Sequence, residues 1–230
     1  MNRTKINFSN ELAYLIGIIT LAFGTSLMEA SDFGVSMVVA PAYLLHLKIS
    51  QFLPFFSFGM AEYSLQALLL IFIAVITRRF KFSYLFSFVT AVLYGFTLDG
   101  FMYLVAFVPF ESFLIRIPLY IVGMLFCCFG VALFFRTYIS PEAYELFVKE
   151  ISAKYNVDIH KFKICYDVVS CVLSVVLSFV FFGLWHFEGI NVGTIVGAIF
   201  NGLLISLWSK FLDRFFTFTD KLPLRPYFEK

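Results

Sequence analysis

Six apolar stretches of membrane-spanning length divide this 230-residue chain, near residues 12–30, 60–77, 82–108, 114–135, 164–185 and 190–211. A hydrocarbon core about 30 Å thick takes roughly 20 helical residues to cross, and each stretch has that length or close to it. The connections between them alternate in charge. Fifteen of the seventeen Lys and Arg residues fall on one side: Arg3 and Lys5, the hinge Arg78-Arg79-Phe80-Lys81, Arg136, Lys149, Lys154, Lys161 and Lys163 in the 136–163 loop, and Lys210, Arg214, Lys221, Arg225 and Lys230 near the end. The other side holds Lys48 and Arg116. Basic loops are retained in the cytoplasm, so this asymmetry predicts six transmembrane helices with both termini cytoplasmic.

Composition supports lipid as the main solvent: the chain is 61% hydrophobic and 14% charged, where a soluble domain carries about 25% charged residues. The apolar stretches are continuous and do not alternate, which argues for helices over a β-barrel. The first stretch has full length, runs into Glu29 and Asp32 and lacks a small-x-small cleavage pattern, so it is expected to be a retained helix. The basic excess suits orientation and contact with anionic lipid, and membrane lipid is the expected partner; no nucleic-acid partner is expected. Cys127, Cys128, Cys165 and Cys171 lie in or at the ends of spans without a CxxC, and His46, His160 and His186 are scattered over three connections. Buried thiols and no metal site follow. No GxSxG, HExxH, Walker loop or dinucleotide fingerprint occurs, so neither an enzyme activity nor a cofactor is expected.

The chain repeats itself weakly. Leu15 to Leu27, with Gly17 and Gly24, lines up with Ile121 to Leu133, with Gly123 and Gly130; Ala40-Pro41-Ala42-Tyr43 answers Ser140-Pro141-Glu142-Ala143-Tyr144; Ser87 to Gly95 answers Thr194 to Gly202. Three elements recurring in one order predict two units, residues 1–110 and 111–230. Three spans per unit is odd, so the second unit would be inverted relative to the first. Inverted repeats are a ground plan of secondary transporters, with a site near the midplane where the units meet. A transporter or permease for a small solute is therefore the leading expectation. The competing one is a membrane scaffold or accessory protein that engages a cytoplasmic partner.

Two connections differ from simple loops. Residues 33–58 are apolar but interrupted by Pro41, as expected of a re-entrant or interfacial segment. Residues 141–155 place Ala143, Leu146, Phe147 and Ile151 at helical spacing beside Glu142, Glu145, Lys149 and Glu150, with Ser140 as N-cap and Pro141 at the first helical position. An amphipathic helix on the cytoplasmic face is the expectation.

Ionisable groups at membrane depth are costly and point to function. Asp99 lies roughly 25 Å along the third span at 1.5 Å per residue, in the outer third. Glu29 and Glu62 fall on the same side. With Asp99 they form the candidate substrate or coupling-ion contacts, and Asp99 has an alternative as the partner of Arg116. Asn201, an amide on an otherwise apolar last span, is the fourth candidate. Arg136 and Asp167, near the cytoplasmic ends of the fourth and fifth spans, are a candidate gating or structural ion pair.

These segments resemble the YitT/YczE group of bacterial integral membrane proteins, along the Gly17 to Gly24 span, Asp32-Phe33-Gly34-Val35-Ser36, Gly95-Phe96-Thr97-Leu98-Asp99, Lys163-Ile164-Cys165-Tyr166-Asp167 and Ile190-Asn191-Val192-Gly193-Thr194. The resemblance implies a multi-pass protein of the bacterial cytoplasmic membrane. The topology is checked with a membrane-impermeant maleimide in a cysteine-free background: Lys48→Cys and Glu111→Cys are expected to react from outside, Lys154→Cys only after permeabilisation.

Overall fold

Ser9 and Ser57 each open a long helix by accepting a hydrogen bond from an amide of its first turn, Leu12 at 3.1 Å and Met60 at 3.1 Å. The computed structural model describes residues 5–108, 112–183 and 191–228, so Glu111 and His186 lie outside the described residues. In chain order the elements are β1 (Ile6–Ser9), α1 (Asn10–Ala30), α2 (Ala40–Ile49), α3 (Phe58–Thr77), α4 (Phe82–Val105), α5 (Phe113–Phe134), α6 (Ala143–Tyr155), α7 (Ile159–Phe182), α8 (Val192–Phe215), β2 (Phe216–Thr219) and α9 (Arg225–Phe228). Helices α1, α3, α4, α5 and α7 contain segments long and apolar enough to cross a membrane. Helix α8, at 24 residues, is as long as α4 and α7. The protein is a helical membrane protein.

Contacts between helix ends fix the directions. Arg116 near the start of α5 pairs with Asp32 just past the end of α1 at 3.2 Å, and Asp99 near the end of α4 meets Ser57 at the start of α3. Thr194 near the start of α8 donates to the Val35 carbonyl at 2.9 Å. At the opposite end Tyr138, after α5, donates to Glu11 at the start of α1 at 2.8 Å, and Arg136 holds Asp213 near the end of α8 at 2.5 Å. Strand β1, leading into α1, pairs in parallel with β2, which leaves α8. The start of α1 and the end of α8 therefore share one end of the bundle. At that end burial raises the pKa of the Tyr138 phenol, and the Glu11 carboxylate it donates to raises it further, so it stays a neutral donor.

Helices α1 and α5 touch backbone to backbone. A Cβ on Gly24 would lie 2.5 Å from the Gly123 carbonyl oxygen and 2.6 Å from the Cys127 nitrogen, and one on Gly130 would lie 2.8 Å from the Gly17 oxygen. Glycine is required at both crossings because no side chain fits. In lipid, where apolar surfaces gain little by meeting each other, such close approach supplies the packing that holds helices together. Around this pair α4 packs on α1 and α8 on α5, while α3 packs on α4. Outward faces are apolar: Leu68, Ile71 and Val75 of α3, Val172, Val176 and Val180 of α7, and Ile195, Ile199 and Leu203 of α8 are all exposed. Polar side chains such as Gln66, Ser87, Thr90, Ser174, Ser178 and Thr194 are buried. This inversion of the soluble pattern is what a hydrocarbon solvent selects.

Helix α6 departs from expectation. It does not lie flat on the cytoplasmic face. The amide of Ala143, its first residue, donates to the Gln66 side chain at 3.0 Å, about 12 Å into α3 at 1.5 Å per residue. Its last turn reaches the end of α3, where Lys154 donates to the Ile76 carbonyl. The helix thus runs from mid-bundle to one end, and its apolar face is covered by α3, α4 and α7. Nor is Ser140 its N-cap: Glu142 holds that position. Ser140 and Pro141 stay extended because α4 takes their carbonyls, Thr90 donating to Ser140 at 3.0 Å and Ser87 to Pro141 at 2.7 Å.

Within residues 33–58, helix α2 packs on α3 and α7. Its end is tied by Lys48 to the Phe181 carbonyl at 3.0 Å. The turn into it needs Gly34, whose φ is +95° and whose Cβ would lie 2.4 Å from Thr194 Oγ1.

Replacing Gly24 by Ala is expected to destabilise the protein by about 1–3 kcal/mol through forced separation of α1 and α5. Gly100→Ala, where nothing lies within 4 Å, is expected to be neutral or stabilising, since helical Ala is favoured over Gly by about 1 kcal/mol. Melting of the two purified variants in detergent compares them; equal loss would exclude the close crossing.

Candidate functional site

Two carboxylates meet in the middle of the bundle on one amide. Glu62 and Gln66, one turn apart on α3, face the start of α6. Gln66 Nε2 donates to Glu62 Oε2 at 3.3 Å and to Glu142 Oε2 at 3.1 Å. Its Oε1 accepts from the Ala143 amide, which assigns the amide orientation. Tyr144 completes the cluster by donating to Glu62 Oε2 at 3.0 Å. Glu62 is 0% and Glu142 2% exposed. The second oxygen of each, Oε1, has no hydrogen-bond partner. Burying an acceptor without a partner costs several kcal/mol unless something else satisfies it.

Beside this cluster lies a cavity of about 1180 Å³. Its wall includes Thr25 of α1, Tyr94 of α4, Cys127 and Cys128 of α5, Glu142 and Tyr144 at the start of α6, and Asn201 of α8. Residues 36–39, ahead of α2, also line it. Lys81, Arg225 and Phe228 line it at the end where the strand pair sits. Tyr94 donates to Thr25 at 3.0 Å, and Thr25 contacts the Cys127 thiol at 3.6 Å. Phe228 packs on Phe86 with ring centroids 4.1 Å apart and on Tyr138 at 5.7 Å. Among the described residues no group of three or more His, Cys, Asp and Glu is arranged to hold a metal ion.

The residues singled out from the sequence are distributed unevenly around this site. Asn201 lines the cavity, its Oδ1 accepting from the Cys128 thiol at 3.5 Å. Glu62 stands behind Gln66 and Tyr144. Asp99 is elsewhere: it accepts from Ser57 Oγ at 2.5 Å and from the Gly59 amide at 2.7 Å, so it caps the start of α3. It does not pair with Arg116, whose carboxylate is Asp32. Glu29 accepts from Tyr43 at 3.1 Å and borders a separate cavity of about 380 Å³ with Arg116. Arg136 and Asp167 do not pair either. Arg136 grips Asp213 with two nitrogens, at 2.8 and 2.5 Å, while Asp167 pairs with Lys163 one turn earlier at 3.0 Å. The i,i+4 neighbour is always within reach on a helix, which is why Asp167 finds it first.

Glu142, Gln66 and Tyr144 were not among the residues singled out as contacts. The available signal was Gln66 itself, an amide in the middle of an apolar span.

The chain belongs to the family of unknown function DUF6198, whose model matches residues 8–210. No curated protein and no solved structure matches it.

Because Asp99 and Arg116 have different partners, Asp99→Asn and Arg116→Gln are expected to be additive in stability within about 0.5 kcal/mol. Asp99→Ala alone is expected to cost about 1.5–3 kcal/mol, the loss of hydrogen bonds to a charged acceptor. Unfolding of the single and double variants measures both; strong coupling would mean that the two side chains do interact.

Proposed function

We propose that this protein is a secondary transporter or permease for a small solute, sitting in a bacterial cytoplasmic membrane and built from two inverted units, residues 1–110 and 111–230. The observation that carries the reading is the cavity of about 1180 Å³ whose wall is drawn from both units, with buried polar side chains at its centre. In this reading α8 is the sixth span. The parallel β1 and β2 pair supports it, because shared ends for α1 and α8 call for an even number of crossings.

Several contacts support the inverted repeat. Gly17 lies against Gly130 and Gly24 against Gly123, the contact expected when a twofold axis exchanges Gly17 with Gly123 and Gly24 with Gly130. Ser87 donates to the Pro141 carbonyl and Thr194 to the Val35 carbonyl. Ser87 aligns with Thr194, and each accepting carbonyl lies in the segment just ahead of a short helix, α6 in one case and α2 in the other. Helix α2 lies on α7 as α6 lies on α3. Half-length helices that start beside a central site are a recurring feature of inverted-repeat transporters, and rocking one unit against the other would open the cavity to alternate sides. We also take the family to be kin of the YitT/YczE group, on the sequence motifs given above.

A scaffold that docks a partner through the apolar face of α6 is the weaker reading. Leu146, Val148 and Ile151 are buried against the chain's own helices, and Phe147 stacks near Phe72 and Tyr166.

Reconstitution in proteoliposomes tests the proposal. Uptake of a solute from a metabolite panel is expected to follow an imposed proton or sodium gradient, and Asn201→Leu, which fills the cavity wall with an apolar side chain, is expected to cut it about tenfold, a loss of 1.4 kcal/mol. Absence of gradient-driven uptake across the panel with correctly oriented, folded protein would exclude transport.

A further inference from the structure

We propose that Glu142, with Glu62 behind it, binds the ammonium group of a small organic cation in the central cavity. The inference rests on the permease reading and names the class of its solute. The first support is the unmet acceptor. Glu142 lines the cavity and is 2% exposed, and its Oε1 has no partner. Glu62 Oε1, fully buried, has none either. Gln66 has a single NH₂ group, already given to both carboxylates, and its oxygen is taken by Ala143. An ammonium group, with three donors and one positive charge, meets what Oε1 of Glu142 lacks.

The balance of charge points the same way. Three of the four cations of the lining are engaged elsewhere, Lys163 with Asp167 at 3.0 Å and Glu145 at 3.9 Å, Lys81 with Glu150 at 2.7 Å, and Arg225 with Asp220 at 3.2 Å; the fourth, Lys149, is exposed, seven residues along α6 from Glu142. The starts of α2 and α6 lie at the cavity, and a helix N-terminus carries roughly half a positive charge. Glu142 itself holds the N-cap position of α6, where that field favours its charged form while Oε1 stays without a donor. The volume is far beyond that of a single dehydrated metal ion, and the wall carries the rings of Tyr94, Tyr144 and Phe134. Carboxylate plus aromatic faces is the chemistry that holds an organic ammonium.

The test uses the full chain purified in detergent, at constant ionic strength. Methyl-, propyl- and hexylammonium chloride are the probes, with sodium chloride, potassium chloride and sodium propionate as controls. At least one alkylammonium is expected to raise the melting temperature saturably. Glu142→Gln and Glu62→Gln, near-isosteric and uncharged, are each expected to weaken that effect tenfold or more in apparent affinity. Should either variant fail to fold, the wild type serves: dicyclohexylcarbodiimide is expected to label Glu142 or Glu62, mapped by mass spectrometry, and the effective alkylammonium to slow that labelling at least fivefold. The assignment is overturned if no alkylammonium acts beyond sodium chloride, if sodium or potassium alone saturates the effect, or if both variants respond as wild type. Binding without flux in proteoliposomes would uphold the ammonium site and overturn the permease. Gradient-driven uptake of a neutral or anionic solute with no ammonium binding would do the reverse.

Discussion

The backbone contact between α1 and α5 is the constraint on which the other contacts depend. Gly17 against Gly130 and Gly24 against Gly123 bring two helices to a separation that no larger residue allows. Lipid provides no hydrophobic force between apolar helices, so dispersion at this distance and the hydrogen bonds it aligns must hold the bundle. With that axis set, α4 lies on α1 and α8 on α5. The hydroxyls of Ser87 and Thr194 then come into reach of the chain that follows α5 and α1 respectively. These two bonds anchor the extended segments from which α6 and α2 start.

The anchoring gives the central cavity its chemistry. Because Ser140 and Pro141 stay extended, α6 begins two residues later and presents Glu142 at its N-cap toward the cavity. A carboxylate there sits in the positive field of the helix end, which lowers the cost of a buried charge without supplying a donor to Oε1. Gln66 joins this carboxylate to Glu62 and orders both. The result is a polar centre in which every donor of the linking amide is used while acceptors remain open, the condition under which a bound donor gains most.

The helices, their lengths, the alternation of basic loops and the glycine pairs were legible in the sequence, because each is a local property: hydrophobic length follows bilayer thickness, and charge bias follows insertion. Gln66 and Asn201 were visible as amides within apolar spans. The partners of the charged residues were not. Asp99 counts as intramembrane by its position along α4, yet its carboxylate faces the start of α3, where the Gly59 amide and Ser57 hydroxyl absorb it. Arg136 was expected to meet Asp167, and only the packing of α5 on α8 assigned it Asp213.

Glu142 marks the boundary most clearly. In the sequence it belongs to a basic, polar connection with an amphipathic pattern, and amphipathicity states only that one face avoids water. Whether lipid surface or protein covers that face depends on where the preceding carbonyls find donors, and those donors, Thr90 and Ser87, lie some fifty residues away on α4. The sequence by itself determined that the chain carries helices long and apolar enough to cross a membrane, since that depends on length and hydropathy along a single segment. Only the tertiary structure decided which acids share the core and what remains unsatisfied around them, because hydrogen-bond partnership is a property of segments brought together by packing.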